Sequence, residues 1–150
     1  PPVMALTATA TDEVRRDIAR QLGMRDPHVT ITGFARPNLR LEVRRTVNEG
    51  AKEAAMLDVL RSTEGVGVVY VATIKEAERL RDVLAAHEVP VGLYHGKMPA
   101  NERKATQEAF MADRYKVMVA TNAFGLGIDK PDLRFVVHYH FPGSIEAYYQ

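Results

Sequence analysis

Short apolar runs alternate along this chain with longer stretches in which apolar positions recur every three or four residues. The apolar runs at 67–72, 91–94, 116–120 and 135–138 predict buried strands. The stretches between them have helical spacing, and residues 51–61 show it before the first run. Strands that alternate with helices predict an α/β fold, with a mostly parallel sheet and right-handed crossovers.

The helix predicted after residue 72 has a well-defined start. Thr73 and Glu76 fit a capping box, in which each side chain satisfies a backbone donor of the other residue. The apolar positions that follow predict the buried face of this helix: Ala77, Leu80, Val83 and Leu84. Thr73 therefore has a structural role available whether or not it also contacts a ligand.

The first part of the chain has weaker signals. Residues 1–10 read as a short buried strand that runs into a turn of small residues, and residues 28–32 read as another strand. Between them, Thr11 is the expected N-cap of a helix that ends near Gly23. A further strand-like segment covers residues 39–43. These patterns predict a strand–helix–strand unit followed by one more strand.

Composition narrows the function classes only slightly. The 150 residues suffice for one ordinary domain, and a net charge of +1 means that nucleic acid would have to be bound by local groups. The chain contains no cysteine, which excludes disulfides and thiolate zinc sites. No apolar run reaches the roughly 18 residues of a membrane span, so no membrane partner is expected. A cytoplasmic protein is expected, associated with the nucleoid if the source is bacterial.

The loop at residues 120–131 carries the densest candidate chemistry. It follows a predicted strand, and ligands of open α/β sheets bind beyond the carboxyl ends of the strands. Thr121 and Asn122 offer hydroxyl and amide groups that suit phosphate oxygens or a sugar. Asp129 only accepts hydrogen bonds, which suits hydroxyl groups.

The glycines at 125 and 127 leave two readings of this loop open. They permit positive φ and a close approach of the backbone to a ligand. They also suffice for an ordinary turn from strand to helix, and a lone glycine-rich loop is a weak signal.

A resemblance to a known family favours the reading of this loop as a ligand-binding loop. Residues 121–138, Thr-Asn-Ala-Phe-Gly-Leu-Gly-Ile-Asp-Lys-Pro-Asp-Leu-Arg-Phe-Val-Val-His, resemble motif V of RecQ-like DNA helicases. Leu-Thr-Ala-Thr-Ala at 6–10 resembles their motif III. Phe-Ala-Arg-Pro-Asn at 34–38 is similar to the segment that joins their two RecA-like domains, with Ala35 where relatives often have Asp.

The resemblance implies a domain organisation and a fold. Residues 1–32 would be the C-terminal strand–helix–strand piece of the first RecA-like domain. Residues 33–150 would be the second RecA-like domain, a three-layer α/β/α structure that stops at the start of motif VI. Gln150 would be the one catalytic residue present, because a similar Tyr-Tyr-Gln opens that motif.

The same resemblance assigns residues that contact DNA. Thr73 matches the Ser or Thr of motif IV that contacts a DNA phosphate, although its capping role remains an equal alternative. His95 and Arg103 match motif IVa, where the alternatives are a histidine that ties down a turn and an exposed helix charge. Ala100 stands where RNA-directed DEAD-box relatives have Gln, which disfavours that subgroup.

Motif V would contact both the DNA and the nucleotide. Thr121 and Asn122 would contact DNA, and Gly127 and Asp129 would contact the nucleotide. The alternative for Asp129 is a carboxylate that caps the turn before Lys130.

A longer parent enzyme would use ATP and Mg²⁺ to translocate from 3′ to 5′ along single-stranded or partly duplex DNA, together with its first RecA-like domain. This chain has no Gly-x-x-x-x-Gly-Lys-Ser/Thr, no Asp-Glu-x-His and no Gly-Arg-x-Gly-Arg. Alone it is therefore expected to be inactive and to bind neither ATP nor Mg²⁺. Two alternatives remain: a standalone nucleic-acid-binding module, and an unrelated doubly wound enzyme that binds a nucleotide at 121–131.

Overall fold

The computed structural model describes residues 2–7, 10–31, 36–125, 128–144 and 147–148. Its contacts divide the chain into two compact units, of which one ends at Val43 and the other spans Arg44–Tyr148. In the first unit, helix α1 (Asp12–Gln21) begins at Thr11, whose side chain accepts a hydrogen bond from the Val14 amide as its sequence position predicts.

The second unit contains the remaining regular elements. In chain order they are α2 (Glu49–Ser62), β1 (Val66–Tyr70), α3 (Ile74–Ala86), β2 (Val91–Tyr94), α4 (Ala100–Met111), β3 (Val117–Ala120) and β4 (Leu133–His138). The strands and helices predicted between residues 51 and 138 are present, with boundaries that agree to within two residues.

The four strands form one parallel sheet in the order β2-β3-β1-β4. Helices α2 and α3 cover one face, where Leu60, Leu80 and Leu84 pack on Val69 and Val119. On the other face α4 packs through Phe110 against a cluster that includes Val68 and Met118. The predicted three-layer α/β/α arrangement is therefore confirmed for the second unit.

One glycine is required where β1 meets β4. A Cβ atom at Gly67 would lie 2.2 Å from the ring of Phe135. Gly67 pairs with Phe135 across the two strands, just after a shift in their register. Because Gly67 has no side chain, the ring of Phe135 fits into the core at this point.

The strands predicted in residues 2–7, 28–31 and 39–43 are wrong. None of these described residues belongs to a strand, and their apolar side chains are exposed, from 55% at Val29 to 87% at Val43. A strand needs a neighbouring strand for its backbone hydrogen bonds, and the described sheet pairs β1 to β4 only with one another. An apolar pattern alone could not supply that partner.

None of the helices in the described ranges has the length and apolar character that crossing a membrane requires.

Candidate nucleic-acid and nucleotide interface

All four strands deliver their following residues to the same edge of the sheet. The Thr121 amide donates to the Tyr94 carbonyl at 3.3 Å, and the Val71 amide donates to the Ala120 carbonyl at 2.9 Å. Because adjacent strands lie about 4.8 Å apart, the segments after β2, β3 and β1 leave the sheet side by side. The carboxyl edge thus brings together the residues that the sequence assigns to three separate motifs.

Thr73 caps α3 and remains accessible. Its hydroxyl oxygen accepts a hydrogen bond from the Glu76 amide at 3.2 Å, and the residue is exposed. The Glu76 carboxylate accepts from Arg79 instead of completing the capping box, and this hydrogen bond lowers the pKa of Glu76. The Thr73 hydroxyl can still donate its proton, so capping and phosphate binding are compatible at this residue.

His95 lies directly after β2 and is only 8% exposed. Its carbonyl accepts from the Met98 amide at 3.2 Å and so closes the turn without the imidazole. The buried Nδ1 has no hydrogen-bond partner within the described residues. An N–H group at Nδ1 would lack an acceptor when buried, so the N–H group that His95 can offer a ligand is that of Nε2.

Arg103 lies in the first turns of α4, at the carboxyl edge. The N-cap, Pro99, makes no side-chain capping bond, so amides of the first turn are left for water or a ligand. The Arg103 guanidinium is half-buried and has no ion-pair partner among the described residues. It lines an open groove of about 730 Å³ with Tyr94, Lys104 and Gln107.

Arg103 and Thr73 approach the edge from opposite faces of the sheet. Arg103 belongs to α4, which packs on one face, whereas Thr73 begins α3 on the other. Thr121 follows β3, which lies between β2 and β1 in the sheet. A strand of nucleic acid that contacted all three residues would therefore cross the sheet edge from one helix layer to the other.

The motif V loop is anchored by an aromatic side chain. The Phe124 amide donates to the Thr121 carbonyl at 3.2 Å, which closes a turn with Asn122 exposed at its tip. The Phe124 ring is 4% exposed and packs edge-on against Tyr94 at 4.9 Å and Phe110 at 5.8 Å. This packing fixes the turn from below and leaves its polar tip facing outward.

Asp129 is exposed, and no described side chain pairs with its carboxylate. Its neighbour Lys130 is buried and donates to Asp113 at 2.6 Å and to Asp132 at 3.2 Å. Burial tends to lower the pKa of Lys130, but the bonds to the two carboxylates outweigh it and the pKa is raised. Lys130 thus ties the end of the loop to the turn after α4, while Asp129 stays available.

Sequence reasoning missed the structural role of Lys130 and a second cluster at the same edge. Arg79 donates to Glu49, at 2.8 Å, and to the Tyr139 hydroxyl, at 3.3 Å, and also pairs with Glu53 and Glu76. Tyr139 directly follows β4 and is 4% exposed. The Glu76–Arg79 spacing was the only local signal, because the other contacts join distant parts of the chain.

Two predicted site residues, Gly127 and Gln150, lie outside the described residues, as do residues 32–35 at the predicted domain boundary. In the described part of the chain, no group of three or more His, Cys, Asp or Glu side chains is arranged to hold a metal ion.

Comparison with a family model assigns the greater part of the chain. Residues 51–150 match the helicase conserved C-terminal domain. This range contains β1 to β4 and the candidate residues Thr73, His95, Arg103 and Thr121.

Curated relatives agree with that assignment. The chain is 44% identical to the ATP-dependent DNA helicase RecQ of Bacillus subtilis over 100% of its own length and 25% of the relative. It is 42% identical to the protein of the same name from Pasteurella multocida, covering 99% of this chain and 23% of the relative. The chain therefore spans about a quarter of the length of these relatives.

Solved structures support the fold. S. cerevisiae Dbp5 bound to RNA and ADP BeF3 superposes with a TM-score of 0.81 at 24% identity, over 95% of this chain and 39% of Dbp5. At that identity the likeness establishes a RecA-like α/β fold and nothing finer. The chain belongs to the family of helicase conserved C-terminal domains, and it is of the RecQ-like type that its motifs predict.

Proposed function

We propose that this chain is the second RecA-like domain, with a piece of the first, of an ATP-dependent DNA helicase that moves from 3′ to 5′. Residues 1–32 would belong to the first domain and residues 33–150 to the second. The observation that carries the proposal is the convergence of Thr73, His95 and Thr121 on the carboxyl edge of one parallel sheet. The names of the RecQ relatives supply the choice of DNA and ATP.

Single-stranded DNA, or the single strand of a partly duplex substrate, would lie across this edge. Hydroxyl, amide, imidazole N–H and guanidinium donors suit phosphate oxygens, and such contacts carry no sequence information. Thr73, Thr121, Asn122 and His95 would donate single hydrogen bonds, and Arg103 would add a positive charge. Because the net charge of the chain is only +1, this local charge has to account for most of the salt dependence.

ATP and Mg²⁺ would be held mainly by residues that this chain does not contain. Asp129 offers a carboxylate that no side chain of the described residues pairs with; it suits a ribose hydroxyl and fits one wall of a nucleotide cleft. Gly127 would let the backbone approach the nucleotide, and Gln150 would open the catalytic motif VI. The chain has no phosphate-binding loop, so the first RecA-like domain must provide the phosphate and metal ligands.

A helicase of this kind would work wherever the DNA of the cell lies. In a bacterium that is the cytoplasm, at the nucleoid.

Arg103→Ala in the full-length protein should weaken single-stranded DNA binding about equally for all sequences. Loss of one phosphate contact on a single strand should lower the slope of log K against log salt concentration by about 0.7. The measurement is fluorescence anisotropy with a labelled oligonucleotide across a salt series.

The matched control for this variant is Arg114→Ala. It removes a charge of the same kind, from an exposed arginine just beyond the other end of α4, at the amino edge of the sheet. It should leave the slope unchanged. Equal slopes for Arg103→Ala and the wild type would rule out the phosphate contact.

Asp129→Ala in the full-length protein should raise the KM for ATP. A carboxylate beside phosphates is repelled, whereas a ribose hydroxyl donates to it, so nucleotide-free DNA affinity should stay nearly intact. Steady-state ATPase kinetics and DNA binding without nucleotide separate the two effects. Glu64→Ala, which removes an exposed carboxylate before β1, is the control. Weaker DNA binding with normal ATP kinetics would place Asp129 on the DNA side instead.

A further inference from the structure

Tyr70, the last residue of β1, connects two segments that are far apart in sequence. Its hydroxyl donates a hydrogen bond to the Phe124 carbonyl at 3.0 Å. The Tyr70 ring also stacks on the ring of His138, with a centroid distance of 5.5 Å and an interplanar angle of 22°. Tyr70 therefore lies between the motif V loop and the end of β4.

The hydroxyl contacts the loop at the junction of two backbone hydrogen bonds. On one side the Phe124 amide donates to the Thr121 carbonyl at 3.2 Å and closes a turn, and on the other the Ile128 amide donates to the Gly125 carbonyl at 3.3 Å. Gly125, at the junction, has a φ of 126°, which disfavours any residue with a side chain. A Cβ atom there would lie 2.7 Å from the Tyr70 hydroxyl oxygen.

The ring contact extends beyond β4. His138 in turn lies 4.7 Å from the ring of Tyr148, in the segment that leads to Gln150. Burial lowers the pKa of His138 and raises the pKa of the Tyr70 hydroxyl. At neutral pH the stack is therefore uncharged, and the hydroxyl keeps the proton that it donates to the loop.

We propose that Tyr70 is a positioning residue that couples DNA binding to ATP hydrolysis, an inference that rests on the proposed function. The turn on one side of Gly125 carries Thr121 and Asn122, the candidate DNA contacts. On the other side, the hydrogen bond from the Ile128 amide to the Gly125 carbonyl precedes Asp129, the candidate nucleotide contact. The hydrogen bond from Tyr70 fixes the turn at 121–124 relative to residues 128–129, and the ring stack fixes both relative to the segment after β4.

The test is Tyr70→Phe in the full-length protein, because this change removes the hydroxyl and keeps the ring. DNA-stimulated kcat should fall roughly 3- to 10-fold, the size expected for one neutral hydrogen bond, while DNA affinity without nucleotide changes less than about 2-fold. Tyr115→Phe is the matched control, since the Tyr115 ring packs in the same cluster and its hydroxyl has no partner among the described residues.

If Tyr70 had only a structural role, Tyr70→Phe would lower the melting temperature without changing the stimulation of ATP hydrolysis by DNA. That result, or unchanged stimulation at unchanged stability, would overturn the inference. If the wild-type protein shows no DNA-stimulated ATP hydrolysis at all, the proposed function fails. A second measurement then decides whether the Tyr70 hydroxyl positions the loop.

That second measurement is amide hydrogen exchange of peptides covering 121–129 in the full-length protein. Tyr70→Phe and Gly125→Ala should each increase exchange of this loop. The double variant should show less than the product of the two effects, because the hydroxyl that the new Cβ meets at 2.7 Å is then absent. Independent, multiplicative effects would show that the hydroxyl does not position the loop and would overturn the inference.

Discussion

The chain alone is expected to hydrolyse no measurable ATP, even with saturating single-stranded DNA. Loss of an arginine finger by itself lowers phosphoryl-transfer rates by about 10³- to 10⁵-fold, and this sequence lacks the phosphate-binding loop and metal carboxylates as well. The nucleotide contacts proposed for this chain, Gly127 and Asp129, would form only one wall of a cleft.

The measurement is a steady-state ATPase assay on the 150-residue chain and on the full-length protein at equal concentration. A trace of contaminating ATPase is excluded by repurification, since genuine activity would follow the protein peak at constant specific activity. Turnover that persisted in this way would contradict the helicase-domain account. It would favour the alternative of a doubly wound enzyme with its own nucleotide site at 121–131.

Phe110→Ala should have the largest effect on stability. Phe110 is fully buried on the α4 face of the sheet, and truncation of such a side chain typically costs about 3–5 kcal/mol. The ring also supports the motif V loop, because Phe124 packs on it and the Lys130 ammonium lies 5.5 Å from its centroid. The variant should therefore lose DNA affinity in addition to stability.

Urea unfolding of the chain, followed by circular dichroism, measures the first effect. The control is Phe141→Ala, which makes the same change at a side chain that is 73% exposed and should shift stability by less than about 0.5 kcal/mol. If Phe110→Ala does not fold, Phe110→Leu keeps most of the volume and should cost less than about 1.5 kcal/mol. Equal midpoints for Phe110→Ala and Phe141→Ala would contradict the packing described for α4.

The second unit was predictable because its signals are local. Strand β3 is a continuous apolar run, and its residues are all buried, as central parallel strands require. Thr73 caps α3 and the Ser144 hydroxyl accepts from the Ala147 amide, and both roles follow from residue type and position. The order of the strands and the choice of which helix covers which face came only from the structure.

The remaining differences arise from contacts that no local pattern encodes. The apolar alternation of Leu39, Leu41 and Val43 is typical of a strand, but a strand forms only where a partner edge is available. Lys130 reads as a surface charge, whereas the two aspartates and the ring of Phe110 bury it. Tyr139 meets Arg79 across 60 residues of sequence.

Amide hydrogen exchange of the full-length protein, with and without single-stranded DNA, tests the central claim most directly. DNA should protect the segments that leave the carboxyl edge, at 71–76, 95–103 and 121–125. Peptides at the amino edge, 87–90 and 112–116, serve as internal controls and should exchange at unchanged rates. Two results would contradict the interface proposed for this domain. One is protection of the amino-edge peptides, and the other is a lack of protection at the three carboxyl-edge segments when DNA binding is saturated.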